Sequence, residues 1–360
     1  MKKACSVLLA VGLLAASLAG CSPKTEPTAA ATTAAATETA TEASETSTEA
    51  AAETSTEAAK TDGAALKVGS LKGPTSMGLV SLMDKAGKGE AEGSYDFTMV
   101  TAADELLAKM VSGDLDIALL PANVASILYN KTGGKVQVID INTLGVLYIV
   151  SADDSLKTIA DLKGKTIYMT GKGTTPDYVF QYLLKANGLT ASDVTMEYKS
   201  EPTEVAAVLK EQPDAIGLLP QPFVTVACAQ NEALKIVMDL TKEWEAVQGA
   251  DGGSLVTGVT VARSDVIADR ADAVATFLKE HKASSQFANE NVSETAALVA
   301  AAGIIEKAPV AEKALPYCSI TYQDGETMKT MLSSYLQLLF DQDPKTVGGS
   351  MPADDFYYIP

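Results

Sequence analysis

From Ala64 onward the chain alternates two hydrophobic rhythms. Short apolar runs of strand length give way to stretches in which apolar side chains recur every three or four residues, the helical period. Leu66-Lys67-Val68-Gly69-Ser70-Leu71 reads as a strand, Lys72-Gly73-Pro74-Thr75 breaks it, and Leu79, Val80, Leu82 and Met83 follow at helical spacing. One hundred residues later the plan returns. Thr166-Ile167-Tyr168-Met169 is the strand, Lys172-Gly173-Thr174-Thr175 the break, and Val179, Phe180, Tyr182 and Leu183 the helix. Threonine is a good helix N-cap, and Pro176 suits a first helical turn.

A second echo follows each of these units. Leu106, Leu107, Met110 and Val111 form one helical face, Gly113 to Asp116 end it, and Ile117 to Leu120 make a buried strand stopped by Pro121-Ala122-Asn123. In the later half, Val205 to Leu209 is the helix, and Ala215 to Leu219 is the strand, stopped by Pro220-Gln221-Pro222. Strand–helix–strand units of this length imply parallel pairing with right-handed crossovers. The pattern therefore predicts two α/β lobes of similar plan. Ligands of open α/β sheets gather beyond the carboxyl ends of the strands. Both Lys-Gly turns and both proline stops belong there, and helix N-termini would point backbone N–H groups into the same space. Such a cleft suits an anionic or strongly hydrogen-bond-accepting ligand.

The chain before Ala64 is different material. Lys2 and Lys3 precede an apolar run from Val7 to Ala19, which Gly20-Cys21 closes. The run is shorter than the roughly 20 residues a spanning helix needs, so residues 1–20 read as a processed export signal. Leu18-Ala19-Gly20-Cys21 resembles the lipobox of bacterial lipoproteins. That likeness implies cleavage before Cys21 and a diacylglycerol and palmitate anchor on its sulfur. Residues 21–65 are rich in Ala, Thr, Glu and Ser, and Glu45–Ala51 recurs unchanged at Glu53–Ala59. Nothing large and apolar is there to offset ordering entropy. The segment reads as a solvated tether spanning about 35 Å on average.

Charge and reactive side chains narrow the function classes. The whole chain carries a formal −18; with Lys2 and Lys3 in the signal and a net six negative charges in the tether, the body keeps about −14. A body this acidic repels nucleic acid. Only Cys228 and Cys318 remain in the body, too few for a disulfide scaffold. A bridge between them stays open, although they fall in different lobes. The single histidine, His281, lies in Phe277-Leu278-Lys279-Glu280-His281-Lys282 and is expected on a helix surface. No Cys/His set suggests zinc, no nucleophile–base set suggests hydrolysis, and no cofactor motif is present. The two arginines, Arg263 and Arg270, fall away from the turns, which disfavours a bidentate carboxylate clamp. Lys72 and Lys172 could add charge to the cleft but are expected mainly to serve solubility, and Tyr148, Tyr178, Phe223 and Trp244 could offer stacking faces but are expected to pack in the core.

Several segments resemble a known family. Asp161-Leu162-Lys163-Gly164-Lys165 looks like its DLKGK entry to the second lobe, and Ser112-Gly113-Asp114-Leu115-Asp116-Ile117-Ala118 like one of its strand entries. Lys185-Ala186-Asn187-Gly188-Leu189 with Asp193-Val194, and the ending Met351 to Tyr358, are also similar in order and spacing. The family is that of ABC-importer solute-binding proteins for sulfonates, nitrate, taurine and thiamine-pyrimidine precursors. The resemblance implies a two-lobed type II periplasmic-binding-protein fold, each lobe a mostly parallel sheet flanked by helices. Lobe 1 would comprise residues 66–148 and 256–345, lobe 2 residues 149–255, and 346–360 a C-terminal tail. Thr257 to Val261 would resume lobe 1, with a helix beginning near Asp269. By family position, Pro74, Thr75, Ser76 and Met77 would face the ligand, with Pro121, Ala122 and Asn123. Gly173, Thr174, Thr175, Gln221 and Thr257 would complete the set, and Asn142, Thr143 and Gly145 lie on the crossing approach.

The implied function is non-enzymatic. Two lobes close by hinge motion on a small organic or oxyanionic solute and present it to an ABC permease and its ATPase, with the protein a monomer held outside the cytoplasm by lipid on Cys21. Two other readings share the fold: an enzyme of thiamine or menaquinone synthesis, and a ligand-sensing module of a surface receptor. An export signal argues against the first, as does the absence of the pyrimidine synthase's cysteine-rich motif.

Overall fold

The computed structural model describes residues 64–249 and 253–360. The expected signal, Cys21 and the tether up to residue 63 lie outside the described residues. The chain opens with β1 (Leu66–Leu71), α1 (Pro74–Met77), α2 (Val80–Lys88), β2 (Tyr95–Val100), α3 (Ala103–Ser112), β3 (Ile117–Pro121), α4 (Ala122–Thr132) and β4 (Val136–Leu144). Next come β5 (Leu147–Ser151), β6 (Thr166–Met169), α5 (Thr175–Ala186), β7 (Thr195–Tyr198), α6 (Pro202–Glu211), β8 (Ile216–Pro220), α7 (Phe223–Gln230), β9 (Lys235–Asp239) and α8 (Leu240–Gln248). The last part holds β10 (Val256–Arg263), α9 (Ser264–Asp269), α10 (Ala271–Glu290), α11 (Val292–Ala301), α12 (Ala308–Ala314), β11 (Ile320–Gln323) and α13 (Gly325–Gln342).

Two sheets divide the body. One runs β11-β4-β10-β3-β1-β2 and the other β7-β6-β8-β5-β9. In the first, β1 pairs in parallel with β2 and β3, and β10 pairs antiparallel with β3 and β4. In the second, β6 pairs in parallel with β7 and β8, and β5 pairs antiparallel with β8 and β9. The two lobes thus share one plan. In each, the antiparallel position is filled by the strand that enters from the other lobe, β5 in lobe 2 and β10 in lobe 1. The chain changes sheets between Leu144 and Leu147 and has returned by Val256.

The central strands read as unbroken apolar runs because both faces are covered. Every position of Ile117–Pro121 is buried, and so are the first four of Ile216–Pro220. Gly69 in β1 has its own reason: a Cβ there would stand 2.4 Å from Leu115 Cδ1. On the hinge side Trp244 of α8 packs its ring 4.9 Å from Tyr182 of α5 and 5.7 Å from Tyr335 of α13. Its indole N–H donates to the Gly253 carbonyl at 2.8 Å, pinning the returning segment. The end of the chain lies along lobe 1, where Tyr358 N–H donates to the Val138 carbonyl and Phe356 is buried.

Two expectations change. His281 is fully buried, not on a surface. Val274, Phe277, His281, Ser284 and Ala288 recur every three or four residues along the inner face of α10, so the charged neighbours Glu280 and Lys282 point elsewhere. The helix expected to begin near Asp269 is α10, which starts at Ala271 and is separated by Arg270 from the short α9. Thr75 and Thr174 do not accept cap hydrogen bonds; their hydroxyls donate back to the carbonyls of Leu71 and Gly171. Cys228 and Cys318 are free thiols, and burial pushes that of Cys318 up to about 12.

Candidate ligand-binding site

A cavity of about 280 Å³ lies where the carboxyl ends of the strands of both lobes meet. Lobe 1 contributes Leu71 and Lys72 after β1, Thr101 after β2, and Pro121 at the end of β3. Lobe 2 contributes Thr170 to Lys172 after β6, Lys199 and Ser200 after β7, and Pro220 at the end of β8. The echo seen along the sequence is therefore an echo in space, with matched strand ends facing each other across the cleft.

The lobe 2 turn is held by its own backbone and by one carboxylate. Gly171 and Gly173 both adopt φ of 74°, where a side chain would be strained, so the Lys-Gly turn is tight. Asp177, buried one turn into α5, accepts from Gly173 N–H at 2.8 Å, Gln181 Nε2 at 2.6 Å and Tyr198 Oη at 2.7 Å. Burial and the Asp177 bond push the Tyr198 phenol well above its ordinary value, so it stays a donor. Lys172 Nζ rests 5.4 Å from the Tyr198 ring centre, and Lys199 Nζ lies at the same distance from Tyr168.

Electrostatically the cavity is the reverse of the acidic body. Three lysines line it, Lys72, Lys172 and Lys199, against one carboxylate, Asp104. Three helices of ten residues or more also begin at its wall: α3 at Ala103, α5 at Thr175 and α6 at Pro202. Their N-termini add partial positive charge. Thr257 of β10 lines the cavity with a buried hydroxyl that has no hydrogen-bond partner. Next to it, a Cβ on Gly258 would fall 2.6 Å from both Asn142 Oδ1 and Thr75 Cγ2, so the floor of the cleft is closely packed.

Of the twelve residues expected from family position, Pro74, Thr75, Pro121, Thr174, Thr175 and Thr257 line this cavity. The other six sit behind it. Ser76 donates to the Leu71 carbonyl and to Ser70 Oγ, and Met77 and Ala122 are in the hydrophobic core. Gln221 accepts from Thr225 Oγ1, and the Gly173 carbonyl accepts from Asn123. Asn123 spans the lobes: its Nδ2 donates to Gly173 and to the Thr346 carbonyl, both at 3.2 Å. Asn142 and Thr143 are buried in a polar chain. Thr143 donates to Asn142, Asn142 to Thr260, and Thr260 to Asp140, whose other oxygen lies 3.1 Å from His281 Nδ1. Gly145 accepts from Ser319 at the crossing.

The sequence reading missed Thr101 to Asp104, Lys199 and Ser200 because it did not register β2 and β7 as strands. The signal was available: if each lobe repeats a unit, the segment between its two helices must also run to the cleft. Lys72 and Lys172, expected at the surface for solubility, both line the cavity.

Among known proteins, a model of the phosphonate periplasmic substrate-binding proteins of ABC transporters matches residues 90–313, more than half the chain. A binding protein of Brucella abortus strain 2308 is 22% identical over 267 residues, covering 74% of this chain and 80% of that one. An ABC transporter structure from Parabacteroides distasonis is 25% identical with a TM-score of 0.67, covering 82% of this chain and 98% of that one. The periplasmic aliphatic sulphonate binding protein of Escherichia coli is similar in fold, at 17% identity and a TM-score of 0.65 over 82% of this chain and 92% of its own. With its two mixed sheets and the cleft between them, the chain belongs to the phosphonate-type periplasmic substrate-binding proteins of ABC transporters.

Proposed function

We propose that this protein captures a small solute with a tetrahedral oxyanion head, a phosphonate or a sulfonate, in the cleft between its lobes and delivers it to an ABC permease. The observation that carries the proposal is the lining of the cleft: three lysines and three helix N-termini converge on a cavity inside an otherwise acidic body. Such a wall compensates an anion without an arginine fork, since amide and ammonium donors suit a head with several equivalent acceptors. Lobe closure around the head excludes water and strengthens each of these contacts. Binding without turnover is the whole of its chemistry. The lipid on Cys21 and the tether would keep a monomeric body at the outer face of the membrane, within reach of the permease.

The test is calorimetric titration of the intact protein with methylphosphonate, methanesulfonate, inorganic phosphate, sulfate, nitrate and a neutral pyrimidine. Saturable binding of a phosphonate or sulfonate, weakened at least tenfold in Lys172→Ala, supports the reading. Binding of the neutral pyrimidine alone refutes it. Metabolic labelling of Cys21→Ser with a palmitate analogue tests the anchor, and loss of label is the expected result.

A further inference from the structure

Beside the cleft lies a second cavity of about 320 Å³. Lys72 and Phe223 line both, so the two chambers stand edge to edge with these side chains at their common boundary. Phe223 is itself buried, its ring edge 3.8 Å from the position a Cβ on Gly73 would take, which closes the gap between α7 and the lobe 1 turn. The other walls are unlike those of the cleft. Val226 and Ala229 of α7 face Ile304 and Ile305 of the α11–α12 connection and Val310 of α12. Lys72, just past β1, is the one strand-end residue that reaches this chamber, and its other charged groups are Glu306 and Lys307. It is also walled by both lobes: α7 belongs to lobe 2, whereas Val226 packs against the lobe 1 core that contains Ile304 and Ile305.

We propose that this chamber receives the apolar substituent of the ligand whose anionic head lies in the cleft, so that the cargo is an amphiphile rather than a bare oxyanion. The inference rests on the oxyanion reading above. The cleft itself lies close to the lower end of small-molecule sites in size, so a long substituent would extend beyond it. A substituent leaving that head past Lys72 and Phe223 meets an aliphatic stretch of wall made by Val226, Ala229, Ile304, Ile305 and Val310, with Thr203, Gln230, Glu306 and Lys307 on the remaining wall. Because the walls come from both lobes, the tail is fully enclosed only when the lobes are together. Burying it favours the closed form over the open one, which is the differential interaction a closing ligand must supply.

The experiment is a titration of the intact protein with methyl-, butyl- and hexylphosphonate and the matching sulfonates, repeated on Ala229→Trp and Val310→Trp. Ala229 is exposed and Val310 half-buried, so an indole at either position fills the chamber without entering the core, and it does so from opposite lobes. Each methylene that is buried tightens binding about fourfold, so the hexyl-to-methyl affinity ratio in the wild type is expected to be at least about tenfold. Both tryptophan variants are expected to bring that ratio close to one. A wild-type ratio near one, with the methyl compounds binding well, overturns the tail chamber and leaves the oxyanion reading standing. A high ratio that survives both variants places the tail elsewhere and also overturns it. A ratio that survives while association slows identifies an entrance and not a subsite. Failure of every phosphonate and sulfonate to bind removes both readings together.

Discussion

Thr257 lines the cleft with a hydroxyl that is buried and unpartnered, a state that ordinarily costs stability. A ligand acceptor would satisfy it. Thr257→Val keeps the shape and removes the hydroxyl. The ligand-free protein is expected to melt at the same temperature or slightly higher. Affinity for the oxyanion is expected to fall about tenfold or more, since a hydrogen bond to a charged group contributes about 1.5–3 kcal/mol. Differential scanning calorimetry and titration on one preparation separate the two effects. Asp140 has the opposite profile. It accepts from Thr260 and pairs with His281 with both side chains fully buried, and it does not line the cavity. Asp140→Ala strands both partners and is expected to lower stability in urea unfolding by on the order of 3 kcal/mol. His281 also shows how a residue-scale reading goes astray. Its flanking charges suggested a surface, yet the spacing from Phe277 to His281 to Ser284 and Ser285 already marked an inner face. Periodicity outranks adjacent charge because a helix turns about 100° per residue.

At the scale of elements, the motifs that carried the family resemblance have plain structural roles. Asp161 of the DLKGK segment accepts from the backbone N–H groups of Lys157 and Thr158 and from the Thr158 hydroxyl, closing a capping box. Those bonds hold its carboxyl below the usual range. Asp193 repeats the device with Thr190, and the Thr190 hydroxyl does most to hold its carboxyl down. Both carboxyls lie lower in the folded than in the unfolded chain, so their contribution is complete above about pH 4 and is lost as pH falls through the lowered folded values. Melting temperatures from pH 6 to pH 2.5 are expected to fall less steeply in Asp161→Asn than in the wild type, from a lower neutral value. A parallel fall in both would remove Asp161 from the linkage. Elements also explain what the sequence concealed. β3 and β8 were legible because both faces are buried, as in Ile117–Pro121. β2 buries only Val100, and β7 buries no residue, so neither carries an apolar run, although both deliver residues to the cleft. An edge strand's identity is set by its neighbour's free hydrogen-bonding edge, which one segment read alone does not contain.

For the whole molecule, the repeat of unit and turn was enough to place two lobes and a cleft, because strand–crossover–strand units have one favoured hand. The contacts between the lobes were not legible, since they join residues far apart in sequence through single side chains. Asn123 is the clearest of these. Placed among the ligand-facing residues by family position, it is wholly buried and bonds Gly173 of the other lobe and Thr346 of its own. Opening the lobes breaks the bond to Gly173 and the long 3.4 Å bond that Asn123 accepts from Thr175, and leaves the bond to Thr346. Asn123→Ala therefore removes about 1 kcal/mol from the closed form beyond what it removes from the open one. If only the closed form holds the ligand and the open form predominates without it, affinity falls by the same factor as the closed population, about fivefold. That loss is expected in dissociation, because the encounter is made with the open lobes. Stopped-flow binding should show koff rising about fivefold with kon within about twofold. Small-angle scattering at a fixed subsaturating ligand concentration should show a larger mean radius for the variant. A fall in melting temperature with koff and scattering unchanged would make Asn123 a packing residue of lobe 1 and leave closure to other contacts.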